Sequence, residues 1–203
     1  TGMSGAIILT TLAVLRSGSG MAICALPASL NNTFEMNVLE GISLPLEDSQ
    51  SGYLKLNHYD TIMEKIEWAD SIVIGPGIGR NIETQSLIKK LVLNIKKPLV
   101  VDADGLSCFE GNARDLFQRK FPLVITPHFG ELSRLLNIST NKLIFKFPQI
   151  MENFMKQFSH TALVKQVPAC TFSDKYAFLN TTGNPGLATA GSGDVFCLLY
   201  TSD

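Results

Sequence analysis

Residues 71–104 read SIVIGPGIGRNIETQSLIKKLVLNIKKPLVVDAD, and they contain one complete β-α-β unit. The apolar runs 71–74 and 98–101 have the length and the β-branched content of buried strands. Between them, a glycine-rich turn at 75–79 precedes a helical pattern from about Glu83 to Ile95. Two buried strands joined by a helix pair in parallel, so this segment predicts a parallel sheet.

The same alternation continues on both sides of this unit. Further strands are predicted at 21–26, 123–125 and 161–164, helices at about 4–16 and from about 131, and a hairpin from 169–172 and 176–179. Continuous apolar strands separated by helices are typical of a sheet that is covered on both faces. We therefore predict a three-layer α/β/α fold with a mostly parallel central sheet, in which residues 31–57 are the least regular part.

Composition favours a soluble globular enzyme in one domain over residues 1–203. The chain is 45% hydrophobic and 17% charged, with a net charge of −1, so we expect no nucleic-acid partner. The apolar run 6–15 is too short to span a membrane, and no signal peptide is recognisable. Four cysteines without a CxxC pair are expected to be free thiols in a reducing compartment, which predicts a cytoplasmic protein without a membrane partner.

The polar and glycine-rich motifs follow the predicted strands directly. They are 75–79, 102–105, 126–131 and Lys165. Ligands of open α/β sheets bind at the carboxyl ends of the strands, so we expect these motifs to form one site. Of the two carboxylates at 102–104, we favour Asp104, whereas one of them could simply cap the following turn.

The segment Gly191-Ser-Gly-Asp194 predicts an anion-binding helix start. Glycines allow backbone N–H groups to converge, and a helix N-terminus presents its positive dipole end to an anion. A carboxylate beside such an anion suits phosphoryl transfer, although an aspartate is also a common helix N-cap. Neither a Walker loop nor the dinucleotide-binding fingerprint is present.

Together these motifs resemble the ADP-dependent NAD(P)H-hydrate dehydratases, which are repair enzymes of the ribokinase-like superfamily. The resemblance rests on Met3-Ser-Gly-Ala6 with Leu15-Arg-Ser-Gly18, Gly75-Pro-Gly-Ile-Gly79, Val101-Asp-Ala-Asp-Gly-Leu106, Thr126-Pro-His-Phe-Gly-Glu131, Lys165 and Gly191-Ser-Gly-Asp194. It implies a ribokinase-like fold and a small-molecule substrate, hydrated NADH or NADPH. ADP or ATP with Mg²⁺ would serve to phosphorylate the ring hydroxyl, after which phosphate leaves. It also implies a homo-oligomer, commonly a tetramer.

The resemblance assigns roles to individual residues. Asp194 corresponds to the catalytic carboxylate and also contacts the substrate. Lys165 begins the nucleotide-binding segment, in which Gln166 replaces the family's glycine. Gly191, Ser192 and Gly193 would complete the nucleotide site. A solvent-facing strand end remains the alternative for Lys165.

Four further residues are matched to the substrate: Ala6, Gly77, Gly79 and His128. The glycines also suit a tight strand-to-helix turn, and the two roles are compatible. Glu131 would hold Mg²⁺ through water, or it could be a first-turn glutamate that is favoured by the helix dipole.

The remaining expectations concern residues outside these matches. Asn184 is expected to hold the glycine-rich loop or to touch the substrate, and His58 and His160 are expected on the surface. A vitamin-precursor kinase that uses ATP, and a nucleotide-binding module without catalysis, stay open as alternatives. The chain is expected to be truncated at both ends, and therefore poorly stable or inactive as written.

Overall fold

The computed structural model describes residues 3–182 and 189–199, with side chains of the last helix described up to residue 195. Its strands are β1 (Ile23–Pro27), β2 (Ile42–Leu46), β3 (Ile72–Ile74), β4 (Leu99–Val101), β5 (Leu123–Ile125), β6 (Thr161–Val164), β7 (Ala169–Phe172) and β8 (Ala177–Asn180). Its α-helices are α1 (Ser4–Arg16), α2 (Asn31–Asn37), α3 (Tyr59–Trp68), α4 (Ile82–Asn94), α5 (Asp104–Ser107), α6 (Arg114–Phe117), α7 (Phe129–Leu135), α8 (Thr140–Phe145), α9 (Phe147–Met155) and α10 (Ser192–Leu199).

The central sheet has the strand order β3-β4-β5-β6-β7-β8. The first four strands are parallel, and the β7–β8 hairpin adds two antiparallel strands at one edge. Helical crossovers return the chain to the same edge of the sheet after each parallel strand, so the carboxyl ends of β3 to β6 lie side by side. The predicted mostly parallel sheet is confirmed.

Alternate residues of the central strands pack into two separate layers. On one face, Ile74, Val101 and Ile125 belong to the large core that also contains the buried side of α4. On the other face, Val100 packs with residues of α1 and α10, including Ala13. Side chains alternate between the two faces of a strand, so both faces are covered by helices. This is the predicted three-layer α/β/α arrangement.

Residues 31–57 are more regular than the sequence indicated. They contain α2 and β2, and β2 pairs in parallel with β1, Ile23 facing Ile42 and Pro27 facing Leu46. This second sheet is separate from the six-stranded one. The expectation for His58 is wrong: it is only 6% exposed, and its Nε2 lies 2.8 Å from the carbonyl oxygen of Glu47. His160 is half-buried, with Nε2 3.1 Å from the carbonyl oxygen of Arg119.

The cysteine side chains in the described residues are free thiols, as expected. Cys24 and Cys170 are buried, and Cys108 is half-buried. Burial raises the pKa of both Cys24 and Cys108 to about 12. Because the thiolate is the reactive form, these two side chains are not nucleophiles at neutral pH. Within residues 3–182 and 189–199, every helix is too short or too polar to cross a membrane.

Candidate active site

The carboxyl ends of four adjacent strands form one edge on which the predicted site residues lie. Backbone hydrogen bonds join each strand end to the next: Asp102 N–H to Ile74 O (3.0 Å), Thr126 N–H to Val101 O (3.2 Å) and Lys165 N–H to Pro127 O (2.9 Å). His128 and Lys165 form an isolated parallel bridge just beyond β5 and β6. The motifs that follow these strands are therefore neighbours in space, as expected.

Gly75 permits a very close approach between the ends of β3 and β4. Its φ is +130°, and a Cβ on it would collide with the carbonyl oxygen of Asp102. A side chain is excluded there by both the backbone conformation and the contact. Gly75 thus fixes the start of the 75–79 loop against Asp102.

The Lys165 side chain crosses the edge and pairs with Asp102. Its Nζ lies 2.6 Å from Asp102 Oδ1, and the two side chains are 21% and 2% exposed. Lys165 is therefore not a solvent-facing strand end. Asp102 is therefore the carboxylate that contacts Lys165, whereas the sequence analysis favoured Asp104 of the same motif. Asp104 instead pairs with Arg80, at 3.1 Å.

The first turn of α10 lies beside this ion pair. Gly191 has a φ of +84°, and Lys165 Nζ is 3.9 Å from the position that a Cβ on Gly193 would occupy. Ser192 donates its hydroxyl to the carbonyl oxygen of Thr189 (2.8 Å). The structure therefore brings the Lys165 ammonium to the predicted anion-binding turn, where the helix dipole also favours a negative group.

Asp194 is half-buried in the same turn. Burial raises the pKa of its carboxyl group, the negative charge of Asp102 raises it further, and the positive charge of Lys165 opposes both. The position of α10 is supported by α1, where the Thr10 hydroxyl donates to the carbonyl oxygen of Asp194 at 3.4 Å. A carboxyl with a raised pKa beside a lysine and a helix N-terminus is a candidate proton acceptor for phosphoryl transfer.

His128 and Glu131 form a reciprocal cap at the start of α7. His128 Nδ1 accepts from the N–H groups of Gly130 (3.0 Å) and Glu131 (3.3 Å), and Glu131 Oε2 accepts from the His128 N–H (2.8 Å). This cap explains why α7 begins at Phe129, two residues before the sequence indicated. The His128 side chain is 52% exposed, so its ring is available to a ligand at the edge.

Ala6 and Gly77 also meet, at the start of α1. A Cβ on Gly77 would lie 3.1 Å from the Ala6 Cβ and 2.6 Å from the Met3 carbonyl oxygen. Gly79 is buried nearby, with the Met3 methyl group 3.8 Å from the corresponding position. Three of the residues that the resemblance assigns to the substrate are therefore neighbours at the carboxyl end of β3: Ala6, Gly77 and Gly79.

A cavity of about 920 Å³ is lined by residues of α1, β1 and β3, among others. Gly75 and Gly77 are among its lining residues, whereas Asp102, Lys165 and Asp194 are not. Its walls are mainly apolar strand and helix side chains, so the reactive chemistry lies outside it. We place the candidate site at the charged edge of the sheet. Asn184 lies outside the described residues.

A family model and curated relatives match this sequence. The family model described as NAD(P)H-hydrate dehydratase matches residues 1–199. The bifunctional NAD(P)H-hydrate repair enzyme Nnr of Moorella thermoacetica is 34% identical over 195 residues, which is 96% of this chain and 37% of that protein. The protein of the same name from Escherichia coli is 31% identical over 195 residues, covering 96% of this chain and 35% of that protein.

Solved structures agree with this match. The ADP/ATP-dependent NAD(P)H-hydrate dehydratase of Bacillus subtilis, co-crystallised with ATP/Mg²⁺ and soaked with CoA, has a TM-score of 0.74 and 25% identity, over 96% of this chain and 67% of that one. Phosphofructokinase-2 of Escherichia coli, in complex with fructose-6-phosphate, shares the fold alone, with a TM-score of 0.61 and 14% identity over 93% of this chain and 71% of that one. The fold is therefore ribokinase-like, as the resemblance implied.

The chain spans little more than a third of the length of these curated relatives, 37% for the Moorella thermoacetica protein. The match nevertheless covers nearly all of the chain and includes every strand-end motif described above. The chain belongs to the NAD(P)H-hydrate dehydratase family.

Proposed function

We propose that this chain converts hydrated NADH or NADPH back to NADH or NADPH, with ADP or ATP as the phosphoryl donor. One observation carries the proposal: the half-buried Asp194 carboxyl lies in the first turn of α10, where Lys165 Nζ approaches Gly193. A proton acceptor and a phosphate-binding cation therefore share one strand-end site. The family match over residues 1–199 supports this specific reaction over other phosphoryl transfers.

Asp194 acts as the general base. It accepts the proton of the substrate hydroxyl while the hydroxyl oxygen forms a bond to phosphorus. Burial and Asp102 raise the pKa of this carboxyl, which makes it a better proton acceptor than an exposed aspartate. The P–O bond to the rest of the nucleotide breaks, so AMP leaves from ADP, or ADP from ATP. Phosphate then leaves from the new ester with the electron pair of the C–O bond, and the neighbouring ring carbon loses a proton as the ring double bond returns. Phosphate is a far better leaving group than hydroxide.

Lys165 and the α10 N-terminus bind the phosphates of the nucleotide, which supplies the phosphoryl group. The site suits such an anion because it combines an ammonium group with the positive end of a helix. Gly191, Ser192 and Gly193 keep this turn free of large side chains. Ala6, Gly77 and Gly79, at the end of β3, and His128, just beyond β5, would contact the hydrated nicotinamide.

Glu131 would hold Mg²⁺ through water. No group of three or more His, Cys, Asp and Glu side chains within the described ranges could hold a metal by itself. Mg²⁺ is commonly bound by one or two carboxylates together with water and substrate phosphates, so a single carboxylate fits a metal that arrives with the nucleotide. When bound, Mg²⁺ would neutralise developing charge on the phosphates.

An absorbance assay tests the proposal. The full chain is incubated with hydrated NADH, ADP or ATP and Mg²⁺, and the return of NADH absorbance is measured. Asp194→Asn should abolish turnover and retain nucleotide binding, whereas Asp174→Asn, in the exposed β7–β8 turn, should behave as the wild type.

Three outcomes would contradict the proposal. An active Asp194→Asn variant would disprove the role of this carboxylate. Phosphate transfer from ATP to a vitamin-precursor alcohol, without any return of absorbance, would identify a small-molecule kinase. Nucleotide binding by the wild type without any turnover would identify a binding module.

A further inference from the structure

A chain of ion pairs connects two of the strand ends that form the candidate site. Arg80 directly follows Gly79 in the loop after β3, and Arg134 lies in α7, which follows β5. Glu110, in the turn after α5, accepts from both arginines: its Oε1 lies 3.2 Å from Arg80 Nη2 and 2.8 Å from Arg134 Nε. One carboxylate oxygen therefore joins the end of the 75–79 loop to α7.

Each end of this connection is anchored by a further hydrogen bond. Arg80 Nε lies 3.1 Å from Asp104 Oδ1, so one planar guanidinium contacts two carboxylates at once. At the other end, the N–H of Gly111, next to Glu110, donates to the carbonyl oxygen of Arg134 at 3.0 Å. An isolated exposed ion pair contributes little, whereas charges that share partners in a network hold a defined geometry. We call these four side chains, Arg80, Asp104, Glu110 and Arg134, the Glu110 network.

The Glu110 network meets a proposed substrate contact at each end. Gly79, which is expected to contact the substrate, directly precedes Arg80. His128 caps α7, and Arg134 Nη1 lies 3.5 Å from the position that a Cβ on Gly130 would occupy, within this cap. Gly79 and His128 follow different strands, β3 and β5, so the distance between them depends on what connects their elements.

The charges of the network balance, because two arginines face two carboxylates. The four side chains are between 21% and 52% exposed, so solvent also screens them. A negatively charged dinucleotide therefore experiences little net attraction from the network. Its contribution to substrate binding is consequently one of geometry.

We propose that Glu110 is a positioning residue, which holds the 75–79 loop and α7 at the separation that the hydrated substrate requires. This inference rests on the proposed function, in which Gly79 and His128 contact the same substrate molecule. Binding groups that are held in place before the ligand arrives give a higher affinity, because less conformational entropy is lost on binding.

The test is the affinity for hydrated NADH, measured by calorimetry without nucleotide. Glu110→Ala removes both ion pairs of this carboxylate, so the Kd should rise about fivefold, the factor that an exposed ion pair at the upper end of its usual range represents. Glu110→Gln keeps an acceptor oxygen and should recover part of this loss. ADP affinity should not change, because the nucleotide phosphates are proposed to bind at Lys165 and α10.

The direction of the change separates an effect of position from an effect of charge. Either substitution leaves the network with a net positive charge, and the pyrophosphate of hydrated NADH is negative. An effect through charge would therefore lower the Kd, whereas an effect through position raises it. An unchanged or lowered Kd in Glu110→Ala would overturn the proposal.

Asp115→Asn is the matched control. Asp115 pairs with Lys89 at 2.6 Å, with side chains that are 37% and 39% exposed, but this pair joins α6 to α4 and contains no residue of a strand-end motif. The Kd of the control should equal that of the wild type. A rise as large as that in Glu110→Ala would contradict a specific role for Glu110.

A double-mutant cycle tests the connection itself. Glu110→Ala should raise the Kd in the wild type but have little further effect in the Arg80→Met background, where the link to the loop is already lost. Equal increases in both backgrounds would overturn the proposal. If Glu110→Ala does not fold, the same comparison is made with Glu110→Gln, whose Kd should still exceed that of the wild type.

Binding and turnover together distinguish a failure of this inference from a failure of the proposed function. If the wild type binds hydrated NADH in a manner that depends on Glu110 but restores no NADH absorbance, the proposed function is wrong and the positioning role is supported. If the wild type restores absorbance and Glu110→Ala keeps the wild-type Kd, the positioning role is wrong and the proposed function is supported.

Discussion

His128 and Glu131 cap each other's backbone at the start of α7, through His128 Nδ1 to the Glu131 N–H and Glu131 Oε2 to the His128 N–H. These two side chains thus stabilise the start of α7. They are also proposed to bind ligands, His128 the hydrated substrate and Glu131 Mg²⁺ through water. Their remaining polar atoms, His128 Nε2 and Glu131 Oε1, lie 3.4 Å apart, and the His128 side chain is 52% exposed. The structural and the chemical roles can therefore be separated by substitution.

Glu131→Gln is expected to preserve the cap and weaken the dependence on metal. Glutamine accepts the same backbone N–H in capping boxes, so the free energy of unfolding should change little. The Mg²⁺ concentration for half-maximal turnover should rise, because the neutral amide is a poor ligand for a hard cation. Glu83→Gln, in the first turn of α4, is the control and should leave the Mg²⁺ dependence unchanged. An unaltered Mg²⁺ titration of Glu131→Gln would refute the metal role.

His128→Ala is expected to lower both stability and turnover. Loss of an N-cap costs about 1 kcal/mol, which chemical denaturation would measure. His128→Asn restores a capping side chain but lacks the ring, so it should recover the stability and still show a raised KM for the hydrated substrate. If His128→Asn recovers turnover in full, the ring makes no contact with the substrate.

Asp194→Asn is expected to raise the free energy of unfolding at neutral pH. Burial raises the pKa of Asp194 above that of an aspartate in an unfolded chain, which is about 3.9, so the folded protein binds this proton more tightly. Wild-type stability therefore falls as the pH rises from the unfolded pKa through the folded pKa, and it remains lower above them.

The difference between Asp194→Asn and the wild type should disappear below the unfolded pKa. Denaturant unfolding at several pH values measures it, with Asp174→Asn as an exposed reference. If the variant is less stable than the wild type at neutral pH, the contacts of the ionised carboxylate contribute more to the free energy of unfolding than its burial costs.

Gly77→Ala is expected to destabilise the protein and reduce turnover. At a φ of +68°, the added Cβ would lie 2.6 Å from the Met3 carbonyl oxygen, so α1 or the 75–79 loop would have to move. Gly111→Ala is a close control, with a φ of +72° and no atom within 4 Å of its Cβ position. It should show only the cost of placing an alanine in the left-handed conformation, roughly 1–2 kcal/mol. Equal thermal shifts for the two variants would argue against the contact with Met3.

Local patterns predicted the elements whose core-facing residues are close together in sequence. The helix 4–16 and the strands 123–125 and 161–164 were predicted with the bounds that the structure has. Each is a short segment, and the spacing of its hydrophobic residues indicates which of its side chains are buried. By contrast, β2 was missed, because its regularity comes from pairing with β1 across a distant part of the chain.

The candidate site was predicted in position but not in its contacts. The rule that ligands bind at strand ends placed Lys165 at one edge with the motifs at 75–79, 102–105 and 126–131. It could not distinguish Asp102 from Asp104, because both follow β4. The positive φ of Ala103 between them and the approach of Lys165 to Asp102 are long-range results of packing.

The sequence by itself determined the alternation of strands and helices, the parallel sheet and the family, because these depend on periodicity and on motifs in order along the chain. Only the tertiary structure decided that Lys165 pairs with Asp102, that His128 and Glu131 form a cap, and that Asp194 is half-buried between opposing charges. Each of these depends on distances between side chains from different elements. Electrostatic interactions and burial depend on which side chains are neighbours in space, so they are determined only when the strand ends come together.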